Sequence, residues 1–158
     1  MGTNQERGSG MTAWLLFLKA LALVESGGNP QAIGDGGASW GKYQLQAAYV
    51  QDANEWGLAN GVIAKPFKHE DAFNPERAEL IIQCYMGRYA TPKRLGRQPT
   101  VEDWSRIHNG GPNGHQKLEA TQPHWNKVKI NLARLGFFNS SKNWTGAMPH
   151  KWKEKRCH

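Results

Sequence analysis

The sequence predicts a mainly α fold of the α+β class, one compact domain with a single small Gly-rich β-hairpin region. Three observations predict it. Apolar residues recur at helical spacing, most clearly Ala78, Ile81, Ile82, Tyr85, Met86 and Tyr89 at i, i+3, i+4, i+7, i+8 and i+11. Glycine concentrates between Asn29 and Gln46, where Gly34, Gly36, Gly37 and Gly41 imply tight turns or a short hairpin. The length, 158 residues, suits one domain, which at this size buries roughly 70% of the surface its unfolded chain exposes.

In chain order, residues 1–10 read as a flexible leader, with Gly2, Gly8 and Gly10 among polar residues. Thr12 can cap a first helix built on the run Trp14 to Val24, ended by Gly27-Gly28 and Pro30. That run contains Lys19, lacks a basic start and leads into Glu25-Ser26 without a convincing cleavage site, so it reads as a buried helix and not a signal peptide. It is also too short to span a bilayer.

Ala47 to Trp56 suits a short helix, and Gly57 to Phe73 reads as a loop. Asn74-Pro75-Glu76 offers a cap, a proline at the first helical position and an acid facing the dipole, and Pro92 stops the helix that follows. Thr100-Val101-Glu102-Asp103 starts another, carrying Trp104 and Ile107, which breaks at Asn109-Gly110-Gly111-Pro112. Thr121 opens a last helix with Trp125, Val128, Leu132 and Leu135 on one stripe and Gly136 as terminator. The folded domain is thus placed at residues 11–139, and residues 140–158 form a basic tail with five Lys/Arg, one Glu and two tryptophans, Trp144 and Trp152.

Twenty Lys/Arg against thirteen Asp/Glu give a net charge of +7, which favours an anionic partner such as nucleic acid, a membrane surface or a cell-wall polymer. A nucleic-acid reading element or concentrated basic face is not recognisable. Two cysteines, Cys84 and Cys157, exclude a disulfide-dense scaffold and cannot complete a structural zinc site.

Most carboxylates have structural explanations: Glu76, Glu102 and Asp103 sit where helix N-termini favour negative charge, and Glu79 and Glu119 lie in polar surroundings. Glu25 differs. It ends an almost wholly apolar helix, at the negative end of the dipole, beside a glycine-rich loop. Burial disfavours a charged carboxyl, which is what a general acid near neutral pH requires. A solvated helix-end residue is the alternative. Asp35, in Gly34-Asp35-Gly36-Gly37, can simply make a turn. Paired with a semi-buried glutamate it suggests a glycosidase, one carboxyl as acid and one as nucleophile or base.

At these residues the chain resembles the lysozyme superfamily, and more closely the invertebrate-type (i-type) lysozymes. Leu23-Val24-Glu25-Ser26-Gly27-Gly28 is similar to the segment bearing their catalytic glutamate. Ser39-Trp40-Gly41-Lys42-Tyr43-Gln44-Leu45 parallels Ser-Cys-Gly-Tyr-Phe-Gln-Ile. Tyr85 to Thr91 matches Tyr-Met-x-Arg-Tyr-Ala, and Ser105 to Gly114 matches Ala/Ser-Arg-Ile-His-Asn-Gly-Gly-Pro-Asn-Gly. These motifs, in the family order, cover roughly residues 20–130.

The resemblance implies a lysozyme-like fold whose hairpin region lies beside the active-site cleft. Glu25 is then the general acid and Asp35 the second carboxylate. Ser39, Tyr43, Gln44, His108, Asn109, Gly110 and Gly111 are the implied substrate-binding residues. It implies a muramidase cutting the β-1,4 bond between N-acetylmuramic acid and N-acetylglucosamine in peptidoglycan, without a cofactor or metal. The enzyme would be a monomer held on anionic walls by its charge and secreted, periplasmic or phage-delivered. Chitin oligosaccharides share the linkage. A lytic transglycosylase and a non-catalytic wall binder are the alternatives. Trp40, Ala53 and His115 stand where family cysteines would be, which points to a disulfide-free, bacterial or viral relative. Lys42 replaces a tyrosine, and the isopeptidase activity of some members is not carried over. Tyr43, Trp40 and Trp125 are candidates for stacking on sugar faces, with core packing as the alternative for each.

Overall fold

The computed structural model describes residues 4–137, with side chains from Thr12 onward; the basic tail at 140–158 and Cys157 lie outside the described residues. Six α-helices are described: α1 (Asn4–Ser26), α2 (Ala47–Ala59), α3 (Pro75–Tyr89), α4 (Pro92–Leu95), α5 (Val101–Gly110) and α6 (Leu118–Arg134). Strands β1 (Ile33–Gly34) and β2 (Ser39–Trp40) form a two-stranded antiparallel sheet in the register Ile33↔Trp40 and Gly34↔Ser39. The fold is mainly helical with one small hairpin, as the sequence predicts, and is consistent with a lysozyme-like fold.

The described chain divides into two compact units, residues 25–88 and residues 4–24 with 89–137. In the first, the predicted stripe of α3 is the core: Ala78, Ile81, Ile82, Tyr85 and Met86 are buried with Leu45, Val50, Ala53 and Ala72. Gly41, at φ 84°, lies against the backbone carbonyl of Ala72, where a Cβ has no room. The segment expected as a loop contains a 3-10 turn at His69–Phe73.

In the second unit Trp104 sits edge-on to Trp14 (centroids 5.1 Å, 89°) and against Phe17 (5.5 Å). Val101, Ile107, Val128 and Leu132 are buried in the same unit. Helix α5 begins as predicted. The Thr100 hydroxyl accepts from Asp103 N–H at 3.2 Å, and the Asp103 carboxylate accepts from Thr100 N–H at 2.7 Å. Asp103 also takes a bidentate grip from Arg97 at 2.5 and 2.8 Å. Burial opposes the charged form of Asp103, but hydrogen bonds from Arg97 and Thr100 outweigh it and hold the carboxyl below its ordinary range.

Several boundaries differ from expectation, among them the end of α2, which runs to Ala59 past the expected Trp56. Thr12 lies inside α1, which begins at Asn4. Pro92 both ends α3 and opens α4 at its first turn, with the Thr91 hydroxyl accepting from Arg94 N–H. Helix α6 starts at Leu118 rather than Thr121, since Lys117 O accepts Thr121 N–H and so extends the helical ladder backward.

Candidate functional site

Glu25 and Ser26 are the last two residues of α1. The helix stops because Gly27 and Gly28 take φ of 63° and 86°, which side chains rarely adopt. Glu25 is half-buried. The Ser26 hydroxyl donates to Lys42 O at 2.6 Å, tying the end of the helix to the turn after β2. Tyr49 and Tyr85 stack near this end (centroids 3.6 Å, 9°). Burial, then Tyr85, then the charge of Glu25 push the Tyr49 phenol well above its ordinary range.

Asp35 opens the 3-10 turn Asp35–Gly37 between the strands and is exposed. Its φ of 50° is positive without being glycine, a conformation that persists only where surrounding structure imposes it. The buried Ser39 hydroxyl donates to Asp35 Oδ2 at 2.5 Å and accepts from Gln46 Nε2 at 3.3 Å. One carboxylate oxygen is thereby fixed by a chain running Gln46, Ser39, Asp35.

The other residues on this side are held from within. Gln44 also has a positive φ, 54°, and its amide donates to Gly41 O at 3.0 Å and Ala32 O at 3.2 Å. Tyr43 is 1% exposed and its hydroxyl donates to Glu79 Oε1 at 2.7 Å. Burial and that bond raise its phenol far above the ordinary range. Its ring therefore belongs to the interior, and Glu79, expected to be solvated, is its partner.

The motif His108-Asn109-Gly110-Gly111 lies in the other unit, where α5 runs through Gly110 and ends at Gly111, φ 85°. His108 is half-buried, its ring 6.3 Å from that of His124, whose Nδ1 shares a 3.1 Å hydrogen bond with Ser105 Oγ. Asn109 is exposed.

Two cations, neither anticipated from sequence, hold this turn by its oxygens. Arg94 donates to Pro112 O at 2.9 Å, Asn113 Oδ1 at 3.0 Å and Tyr89 O at 2.8 Å; Lys117 Nζ donates to Gly110 O at 2.8 Å. The Thr91-Pro92 pair was the available sign, because it starts the short helix that carries Arg94. Beneath them the buried Arg106 spreads its guanidinium over Glu102, Leu118 O, Thr121 Oγ1 and Gln122 Oε1, joining α5 to α6.

Glu25, Asp35, Ser39, Tyr43 and Gln44 thus share one unit, and His108 to Gly111 belong to the second. Among the described residues no cluster of three or more His, Cys, Asp or Glu could hold a metal ion, and no helix is long and apolar enough to cross a membrane. Cys84 is buried and free, its thiol pushed up to about 12 by burial, which keeps it protonated and unreactive.

Residues 16–131 match the family model described as Destabilase. No curated protein matches the chain.

Proposed function

The chain belongs to the Destabilase family, the i-type lysozyme family, and on that premise we propose that it is a muramidase. Family membership supports a lysozyme-like hydrolase; the bond, the substrate and the roles of the residues are our reading. The bond cut is the β-1,4 linkage between N-acetylmuramic acid and N-acetylglucosamine in peptidoglycan. Glu25 protonates the glycosidic oxygen as the bond breaks. Asp35 stabilises the oxocarbenium-like transition state, as nucleophile or as base for water.

The observation that carries this reading is the contrast between the two carboxyls. Glu25 is half-buried at the end of the apolar helix α1, an environment suited to an acid. Asp35 is exposed and oriented by a serine hydroxyl, which suits a group that must meet the sugar or a water in a fixed direction. Ser39 and Gln44 serve substrate by fixing the Asp35 turn and the turn after β2, and Tyr43 supports them from the interior. His108, Asn109 and the glycine turn contact sugar hydroxyls, with donors and acceptors of the required kinds. The enzyme acts as a monomer on glycan strands, and its net charge of +7 favours anionic walls, less so as salt rises.

Mass spectrometry of the products from purified peptidoglycan tests the reading. Reducing-end muropeptides are expected. Anhydromuropeptides would replace hydrolysis by transglycosylation, a reaction that one glutamate suffices to catalyse. No products would leave a wall binder, or chitin as the glycan to try next.

A further inference from the structure

Of the three aromatic residues that the sequence offers for sugar stacking, Tyr43 and Trp125 are 1% and 8% exposed. Trp40 is the one of the three that is partly exposed. It is also held at every point. Its indole lies parallel on the His69 imidazole, centroids 3.7 Å apart at 4°, with the Phe73 ring 5.3 Å away at 20°. The indole N–H donates to Gly37 O at 2.7 Å. His69 is itself anchored, its Nε2 donating to Leu45 O at 2.8 Å. The Trp40 backbone exchanges hydrogen bonds of 3.0 and 2.9 Å with Leu45.

Core packing accounts for an indole enclosed on all sides. An indole fixed by two rings and a hydrogen bond, with part of its surface in water, also offers a ligand an ordered apolar surface. A rigid, partly exposed aromatic whose polar edge is already satisfied is suited to an apolar sugar face, because little conformational freedom remains to be lost on binding. Its position fits the chemistry. Trp40 follows Ser39, whose hydroxyl holds Asp35, and its N–H bonds the last residue of the Asp35–Gly37 turn.

We infer that Trp40, backed by His69 and Phe73, is a stacking platform for an N-acetylhexosamine ring in the subsite next to Asp35. The inference rests on the glycan-cleaving reading for its ligand class. The test titrates the β-1,4-linked N-acetylglucosamine tetramer by calorimetry into Glu25→Gln, which leaves the ligand intact, and into the same protein carrying Trp40→Ala or Trp40→Phe. Melting curves accompany each protein. Trp40→Ala should weaken binding about tenfold and Trp40→Phe about threefold, within what a single aromatic contact contributes.

Ligand should also perturb tryptophan fluorescence in the parent and not in Trp40→Phe, a readout that stands if Trp40→Ala fails to fold. Equal affinities with an unchanged fluorescence response, or no binding by any of the proteins, would overturn the platform. Muropeptide release by the wild type is scored separately. Cleavage without a Trp40 effect removes the platform and leaves the function, and Trp40-dependent binding without cleavage does the reverse.

Discussion

Residues 25–88 carry eight carboxylates against five Lys/Arg, net −3, whereas residues 4–24 with 89–137 carry four against ten, net +6. The two units also hold their candidate site residues by different means. In the first, backbone bends do the positioning: Asp35 and Gln44, the two non-glycine residues with positive φ among those described, both lie there. In the second, positive φ occurs at glycines only (Gly96, Gly111 and Gly136), and cations position the turn. Arg94, Arg97, Arg106 and Lys117 are spent on backbone oxygens, side-chain oxygens and carboxylates within the unit. These bonds fix where the cations sit without neutralising them, so the unit's net +6 stays available to an anionic wall.

Several perturbations would break or sharpen this contrast. Beyond Glu25, the largest effect belongs to Asp35. Asp35→Asn should lower turnover on peptidoglycan about a hundredfold with the melting temperature nearly unchanged, since the amide oxygen can still accept from Ser39. Near-wild-type turnover would leave a single-glutamate mechanism. In the second unit, Asp103→Ala should cost about 2 kcal/mol of stability, by removing the helix cap and its hydrogen bonds together. Chemical denaturation would read the loss, and the rate of the folded enzyme should be close to normal.

A smaller effect is expected from Arg94→Met. Loosening the His108 to Asn113 turn should raise KM about fivefold and leave kcat nearly intact, the pattern of lost binding. An equal fall in kcat would give the turn a part in the transition state.

The smallest is a pH effect. Burial lowers the pKa of His115, whose buried Nδ1 has no hydrogen-bond partner. The unfolded chain therefore binds its proton first as pH falls, and stability present above about pH 6.5 declines below it. The depressed Asp103 carboxyl acts in the same direction, its contribution lost below about pH 3.9 as the unfolded chain protonates ahead of it. His115→Gln should remove the upper step and leave the lower, as followed by melting temperature against pH.

Legibility in the sequence divides by the range of the interaction and not by unit. The α3 stripe and the Thr100–Asp103 cap were readable because each rests on residues a few positions apart, whose relation is set by helical period alone. So was the place of Glu25, half-buried at the end of an apolar helix. The hairpin was readable as glycine-rich turns, but which non-glycine residues take positive φ was not: Asp35 is of a type that tolerates it without requiring it, and Gln44 of a type that rarely adopts it. Exposure of single aromatics was equally hidden: Tyr43, Trp40 and Trp125 look alike in sequence, and only long-range packing buries two and leaves the third at the surface. The Arg94 clamp joins positions 18 and 19 residues apart, which no local pattern records.

The central claim, that Glu25 is the acid, is tested most directly by the initial rate of Glu25→Gln on purified peptidoglycan beside the wild type, with melting curves for both. The substitution keeps size and hydrogen-bonding capacity and removes the transferable proton. The expected result is a fall of about a thousandfold with an unchanged melting temperature. A folded Glu25→Gln protein that retained more than a few per cent of the wild-type rate would contradict it.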